Sequence, residues 1–151
     1  MDKNKSIEAL QFFVTHLAEG AIVHKQQGMI FKSMGLNKLG QKYIDHFGEE
    51  MDWVEKFTER ILDLGGELKF EGMEKRDLIN DPIEYVKEDL KIQEAGVDML
   101  YKCCEGLIND PTTYDLMKGY LKDEEEDLYW SQGAIEMVNC IGTQNWLLQQ
   151  L

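Results

Sequence analysis

The sequence predicts an all-α protein: four long helices in a bundle, one long crossover between the second and third, and a short fifth helix at the C-terminus. Three observations carry this. Apolar residues recur at alternating three- and four-residue spacing through most of the chain, and no segment sustains the strict alternation of a half-buried strand. The only two prolines each follow an aspartate, in Asp81-Pro82 and Asp110-Pro111. An aspartate at the N-cap accepts orphan N–H groups, and a proline in the first turn has no N–H to leave unsatisfied, so each pair starts a helix.

The elements follow in order. The first helix runs from about Ser6 to Met34 and ends at Gly35, because glycine adopts the left-handed conformation beyond a last turn at little cost. The second runs from about Lys38 to Leu64 and stops at Gly65-Gly66. The stretch from Gly65 to Asp81, about fifteen residues, is long enough to travel the length of such a bundle. A third helix then spans Pro82 to about Ile108. The fourth spans Pro111 to about Ile141, closed by Gly142, and TQNWLLQQL forms the fifth. The turns between the first and second helices and between the third and fourth are short, which makes each pair antiparallel neighbours. With 151 residues, 43% of them apolar, the chain reads as a single domain over 1–151 with mass for one core.

The formal net charge of -13 argues against nucleic-acid binding, which needs basic patches to displace counterions from phosphate. It suits cations, and it also serves solubility alone. The N-terminus MDKNKSIEAL lacks the apolar stretch of a signal segment, and no apolar run approaches the roughly 18 residues of a membrane span. A cytoplasmic protein is expected. Cys103, Cys104 and Cys140 are odd in number and lack zinc spacing, so they read as buried thiols rather than a disulfide framework.

Polar residues interrupt the apolar stripes near the middle of three helices. The third helix carries Ile83, Val86, Leu90, Gln93, Val97, Leu100, Cys104 and Leu107 on one seam. The fourth carries Met117, Leu121, Glu124, Leu128, Ser131, Ile135 and Val138, with Asp127 beside it; of the run LKDEEEDLYW, Glu124 and Asp127 therefore point inward while Asp123, Glu125 and Glu126 lie mostly towards solvent. On the second helix Glu50 lies inward among Tyr43, Phe47, Trp53, Phe57 and Ile61. Buried carboxylates need protons, cationic partners or a metal. No basic residue falls on these three stripes, so two readings stand: a metal held by hard oxygen donors, suited to iron, manganese, calcium or magnesium, or a structural polar network with Tyr43 or water as partners. His46, four residues before Glu50, could share a metal with it or be a packed or surface histidine. His16 and Glu19 lie on another face of the first helix, a dimer contact or solvent.

The chain resembles the bacterioferritins over nearly its whole length: IFKSMGLNKL at the first turn, ERILDLGG closing the second helix, LKDEE with a tryptophan nine residues after its leucine, and GTQNWLLQQL at the end. DPTTYDL before the fourth helix is similar to the Dps-like thioferritins. The resemblance implies a ferritin-like four-helix bundle, a subunit of a homo-oligomeric iron-storage cage of 24, and haem b held between subunits. It places the two metal-bridging glutamates on Glu50 and Glu124. Four other ligand positions depart from the family pattern. The second-helix histidine is Trp53, the fourth-helix histidine is Asp127, the third-helix glutamate is Gln93, and the first-helix glutamate, aligned without a gap, is Leu17. Glu19 takes that last role only with a two-residue gap at the first turn. Periodicity favours Leu17, since Leu10, Val14, Leu17, Ala21, His24, Gly28 and Phe31 form the inward stripe and Glu19 is about 200° away from Leu17 at 100° per residue.

Sorted by metal position, Leu17 and Trp53 replace the ligands of one iron with groups that cannot ligate. Gln93 and Asp127 keep oxygen at the other. With Glu50 and Glu124 the resemblance therefore implies at most a one-metal, all-oxygen site, with paired two-iron oxidation in question. Met51 follows Glu50 as the haem-ligating methionine does in the family, and shares a face with Ile44, Phe47, Thr58 and Leu62 that suits a subunit contact. The expected function is iron storage with a reduced intrasubunit metal site and intersubunit haem; the alternative is a ferritin-like shell without ferroxidase activity, or a haem-binding structural oligomer.

Overall fold

The structure, a computed structural model describing residues 1–151, consists of α1 (Lys3–Ser33), α2 (Asn37–Asp63), α3 (Pro82–Gly106), α4 (Pro111–Ile141) and the short α5 (Thr143–Leu148), with no strand. The all-α expectation holds, as do the start and stop signals. Asp81 and Asp110 cap α3 and α4 through side-chain acceptance of the Glu84 and Thr113 N–H groups, each with proline in the first turn. Gly35, Gly65 and Gly142 follow helix ends at φ of 87°, 75° and 85°. Two boundaries move by three residues: α1 begins at Lys3 because Asp2 accepts the Lys5 N–H at 3.2 Å and caps it early, and α5 ends at Leu148 rather than Leu151. No helix is long and apolar enough to cross a membrane.

α1 and α2 approach closely at a glycine pair. A Cβ added at Gly28 would fall 2.5 Å from the Gly40 carbonyl oxygen, and one at Gly40 would fall 2.6 Å from the Gly28 carbonyl. Backbone cannot yield as a side chain can, so the two positions fix the spacing of this end of the hairpin. The residues between α2 and α3 run back along α1, as a crossover must. Gln11 donates to the Lys69 carbonyl at 3.0 Å and accepts from its N–H at 3.1 Å. Gln27 makes the same pair with Ile79, at 2.7 Å each way. Between them Glu19 accepts from Arg76 at 3.3 Å. Glu19, which periodicity turns away from the inward stripe, is therefore covered by the crossover and 8% exposed.

The apolar interior divides in two. One cluster holds Leu10, Phe13, Leu17, Phe57, Ile61, Leu100, Met117 and Tyr120; the other holds Phe31, Leu39, Tyr43, Ile83, Val86, Ala134 and Trp146. On α1, α2 and α3 the polar inward residues fall between the two, His24 on α1, His46 and Glu50 on α2, Asp89 and Gln93 on α3; on α4 Glu124 and Asp127 interrupt the first cluster between Leu121 and Leu128. The fold thus packs a polar belt between two hydrophobic halves.

At the far end of the first half, Asp110 ties three elements together. It accepts from Ser6 Oγ at 2.8 Å, from Arg60 at 3.0 Å and from the Thr113 N–H at 3.3 Å. Burial works to raise its pKa, but the Thr113 and Ser6 hydrogen bonds, with the Arg60 charge, outweigh this and hold the carboxyl below its usual range. A depressed carboxylate stabilises the fold above the unfolded Asp value of about 3.9, and that contribution is lost as pH falls through the lower folded value. Asp110→Asn keeps a capping oxygen but loses charge-assisted bonds, so a loss of about 1.5–3 kcal/mol at neutral pH is expected. In urea titrations across pH, the gap between wild type and this variant should close below about pH 4; a gap that persists unchanged to pH 2 would contradict the assignment.

Candidate metal centre

The belt is organised by His24. Its Nδ1 meets Glu50 Oε1 and its Nε2 meets Asp89 Oδ1 at 2.9 Å. An imidazole engaged by a carboxylate at both nitrogens is an imidazolium, since only that form donates twice. Burial works against the charge, but Asp89 and Glu50 overcome it and raise the His24 pKa well above its ordinary value. Tyr43 stacks on the ring with centroids 5.7 Å apart. Gln93 donates to the other oxygen of Asp89 at 3.2 Å, which leaves its own amide oxygen buried without a partner.

A second imidazole lies beside the first. The rings of His24 and His46 are 5.6 Å apart between centroids at 80°. His46 Nε2 faces Asp127 Oδ1 at 3.1 Å, with the Lys42 ammonium 3.4 Å away. His46 Nδ1 is buried and unpartnered. Lys42 also sits over the Trp130 ring at 4.1 Å, closing the side of a cleft lined by Asp45, Glu49, Glu126 and Asp127. Two groups of three residues bring donor atoms within 4.8 Å of one another: His24, His46 and Glu50, and His46, Glu49 and Asp127.

Each residue expected to ligate has a definite place. Glu50 and Gln93 are buried, at 6% and 5% exposure. Glu124 is partly buried, and Asp127 lies at the edge of the cleft. Burial first, then the Glu50 and Asp127 charges, push the Glu124 carboxyl up to about 8, with His24 pulling the other way. Near neutral pH this carboxyl carries a proton much of the time. That proton and the His24 charge together offset the crowd of acids, so the belt is electrostatically tolerable as a polar network and also equipped to take a cation. Met51 is half-buried on α2, as are Ile44 and Phe47, and Leu62, about three turns further along the helix, is exposed.

Two positions are filled by packing. Leu17 is in the apolar cluster, and Trp53 packs against it. The Trp53 ring lies against Phe57 and Tyr120, with its Nε1 donating to Asp123 at 2.7 Å. Three polar residues carry more of the site than the sequence disclosed: His24, Asp89 and His46. His24 stands on the inward stripe of α1 and supplies the positive charge that the stripes of the other three helices lack. Asp89 lies three residues after Val86 and four before Gln93, a spacing that signals the same face. Among the thiols, Cys104 is buried, Cys103 is half-buried and Cys140 is exposed, so the expectation of buried thiols fails at Cys140.

The chain is similar to known proteins along nearly its full length. Residues 7–141 match the ferritin-like domain family. The chain is 30% identical over 152 aligned residues to the bacterial ferritin of Neisseria meningitidis serogroup B, an alignment spanning 95% of this chain and 97% of that protein. The same figures hold for the bacterial ferritin of Neisseria gonorrhoeae. A bundle of four long helices with the crossover lying along α1, acids at mid-length on three of them, and a family match reaching from α1 to the last residue of α4 place the chain in the ferritin-like family.

Proposed function

We propose that the protein is a cytoplasmic, iron-storing subunit of a homo-oligomeric cage of 24, with a reduced metal position inside each subunit. The observation that carries the reading is the acidic belt at mid-bundle in a chain 30% identical to bacterial ferritins along nearly its full length. Glu50, Glu124, Gln93 and Asp127 are the oxygen donors of that position, and a single divalent cation replaces the proton that Glu124 otherwise holds. Leu17 and Trp53 close the neighbouring position, so ferrous iron entering the subunit is oxidised slowly. Storage then rests on an acidic interior wall that attracts and nucleates ferric iron.

The test is iron loading of the purified assembly. Ferrous iron added in air should co-elute with a large oligomer at many iron atoms per chain, and should do so more slowly than in a ferritin with a complete ligand set. A small oligomer that retains no iron beyond stoichiometric amounts would overturn the storage reading and leave a structural oligomer.

Met51 gives the second reading, haem b shared by two subunits. The fit to this chain is partial and specific: a thioether, a soft donor suited to haem iron, is half-buried on an α2 face with Ile44, Phe47 and the exposed Leu62, and two such faces related by a two-fold would sandwich a flat apolar group. Haem there would supply a redox-active iron, while the protein's part is the axial sulfur and the apolar walls. Met51→Leu should abolish the Soret band of the purified protein and leave the oligomer intact; unchanged haem content in that variant would exclude this ligand.

A further inference from the structure

We propose a second cation position in each subunit, one helical turn towards the start of α2 from the oxygen-donor position, in which His24 Nδ1, His46 Nδ1 and a Glu50 carboxylate oxygen bind a first-row divalent metal. It rests on the proposed metal-handling role of the belt, and of its three ligands only Glu50 stands at a family ligand position; His24 and His46 match none.

The geometry has four parts. Donor atoms of His24, His46 and Glu50 lie within 4.8 Å of one another, close enough to share one ion. His24 Nε2 faces Asp89 at 2.9 Å, and His46 Nε2 lies between the Asp127 carboxylate at 3.1 Å and the Lys42 ammonium at 3.4 Å. A carboxylate that holds the Nε2 proton frees Nδ1 for a metal, which is how metal-binding histidines are held; at His24 this requires loss of the Nδ1 proton that Glu50 accepts. His46 Nδ1 is the decisive atom: the residue is only 4% exposed, and this nitrogen has no hydrogen-bond partner. A buried imidazole nitrogen left unpaired is costly in a structural network, and a metal ion satisfies it. In the metal-free belt, His24 Nδ1–H donates to Glu50; the cation takes the place of that proton, which leaves to solvent.

Two imidazoles and one carboxylate form a borderline donor set that suits Fe(II) or Zn(II) better than the hard ions calcium and magnesium. The displacement along the bundle runs the same way on α1, α2 and α3. His46 is one turn before Glu50, Asp89 is one turn before Gln93, and His24 lies two turns beyond Leu17, in the direction the antiparallel α1 requires. The chain has closed one position with Leu17 and Trp53 and opened another on the opposite side of Glu50.

Zinc is the probe. Crystals of the assembled wild-type protein, soaked in a zinc salt and measured on both sides of the zinc edge, should show an anomalous peak about 2.0–2.1 Å from both Nδ1 atoms. Asp89→Asn should weaken zinc binding about 10–100-fold in titration calorimetry while His46 still contacts the ion, as expected for a positioning residue. The proposal is overturned by a peak confined to Glu124 and Gln93, by one held through His46 Nε2 with Glu49 and Asp127, or by no peak. None of these outcomes affects the iron-loading result, and a cage that fails to load iron while zinc sits on both Nδ1 atoms would sink the storage reading alone.

Discussion

His24→Phe is expected to destabilise the metal-free protein by about 3–5 kcal/mol, among the largest effects available to a single substitution in this chain. Phenylalanine conserves the ring that stacks on Tyr43, so the loss is not chiefly one of packing. It comes from Glu50 and Asp89, both buried, which would face each other's side of an apolar ring with no cation between them. Buried charges left unpaired cost more than the pair itself contributes, because their desolvation is no longer offset. The control follows from the same physics: adding Glu50→Gln and Asp89→Asn removes both stranded charges and should recover most of the loss. Urea denaturation in chelator at one fixed subunit concentration is the measurement, since in an oligomer stability depends on that concentration. A loss under about 1 kcal/mol for the single variant would mean that the carboxylates are neutralised by protons rather than by His24.

The helices were legible in the sequence because their signals are local. Asp-Pro starts, glycine stops and three-four spacing are properties of short stretches, and the structure follows them to within a few residues. The inward turn of Glu50, Gln93 and Glu124 was legible for the same reason: a stripe fixes which face of its own helix is buried. What a stripe cannot fix is the rotation and sliding of one helix against another. His24 meets partners 26 and 65 residues away in sequence, and which polar residue comes level with which depends on that sliding. Family resemblance points to the turn containing Trp53, where a ligand position carries no donor, and not to the turn containing His46, whose imidazole meets Asp127. Glu19 shows a second limit. Its burial comes from Arg76 and an irregular crossover, and an irregular segment leaves no periodic trace of what it covers.

The double variant Leu17→Glu with Trp53→His should oxidise added ferrous iron about tenfold faster or more, equivalent to roughly 1.4 kcal/mol off the barrier. The resemblance to bacterioferritins assigns those two positions to the ligands of one iron, and in this chain both are occupied by side chains with no lone pair to give. Trp53 is also a packing element. Its ring lies on Phe57 and Tyr120 and against Gly119, where an added Cβ would come within 3.0 Å of it. Replacing the indole by an imidazole leaves a void and removes the bond to Asp123, so a stability loss of about 3 kcal/mol accompanies the gain. Rates must therefore be normalised to folded assembly, judged by circular dichroism and size exclusion. A new glutamate at position 17 enters an apolar cluster, where without a cation it would take up a proton; with iron beside Glu50 it has a reason to ionise. The single variants separate the contributions. Trp53→His alone opens space and offers one donor, Leu17→Glu alone offers a donor with no space, and neither should approach the rate of the pair. An assembly that is folded and binds iron, yet oxidises it no faster than wild type, would show that the slow step lies outside this half of the bundle.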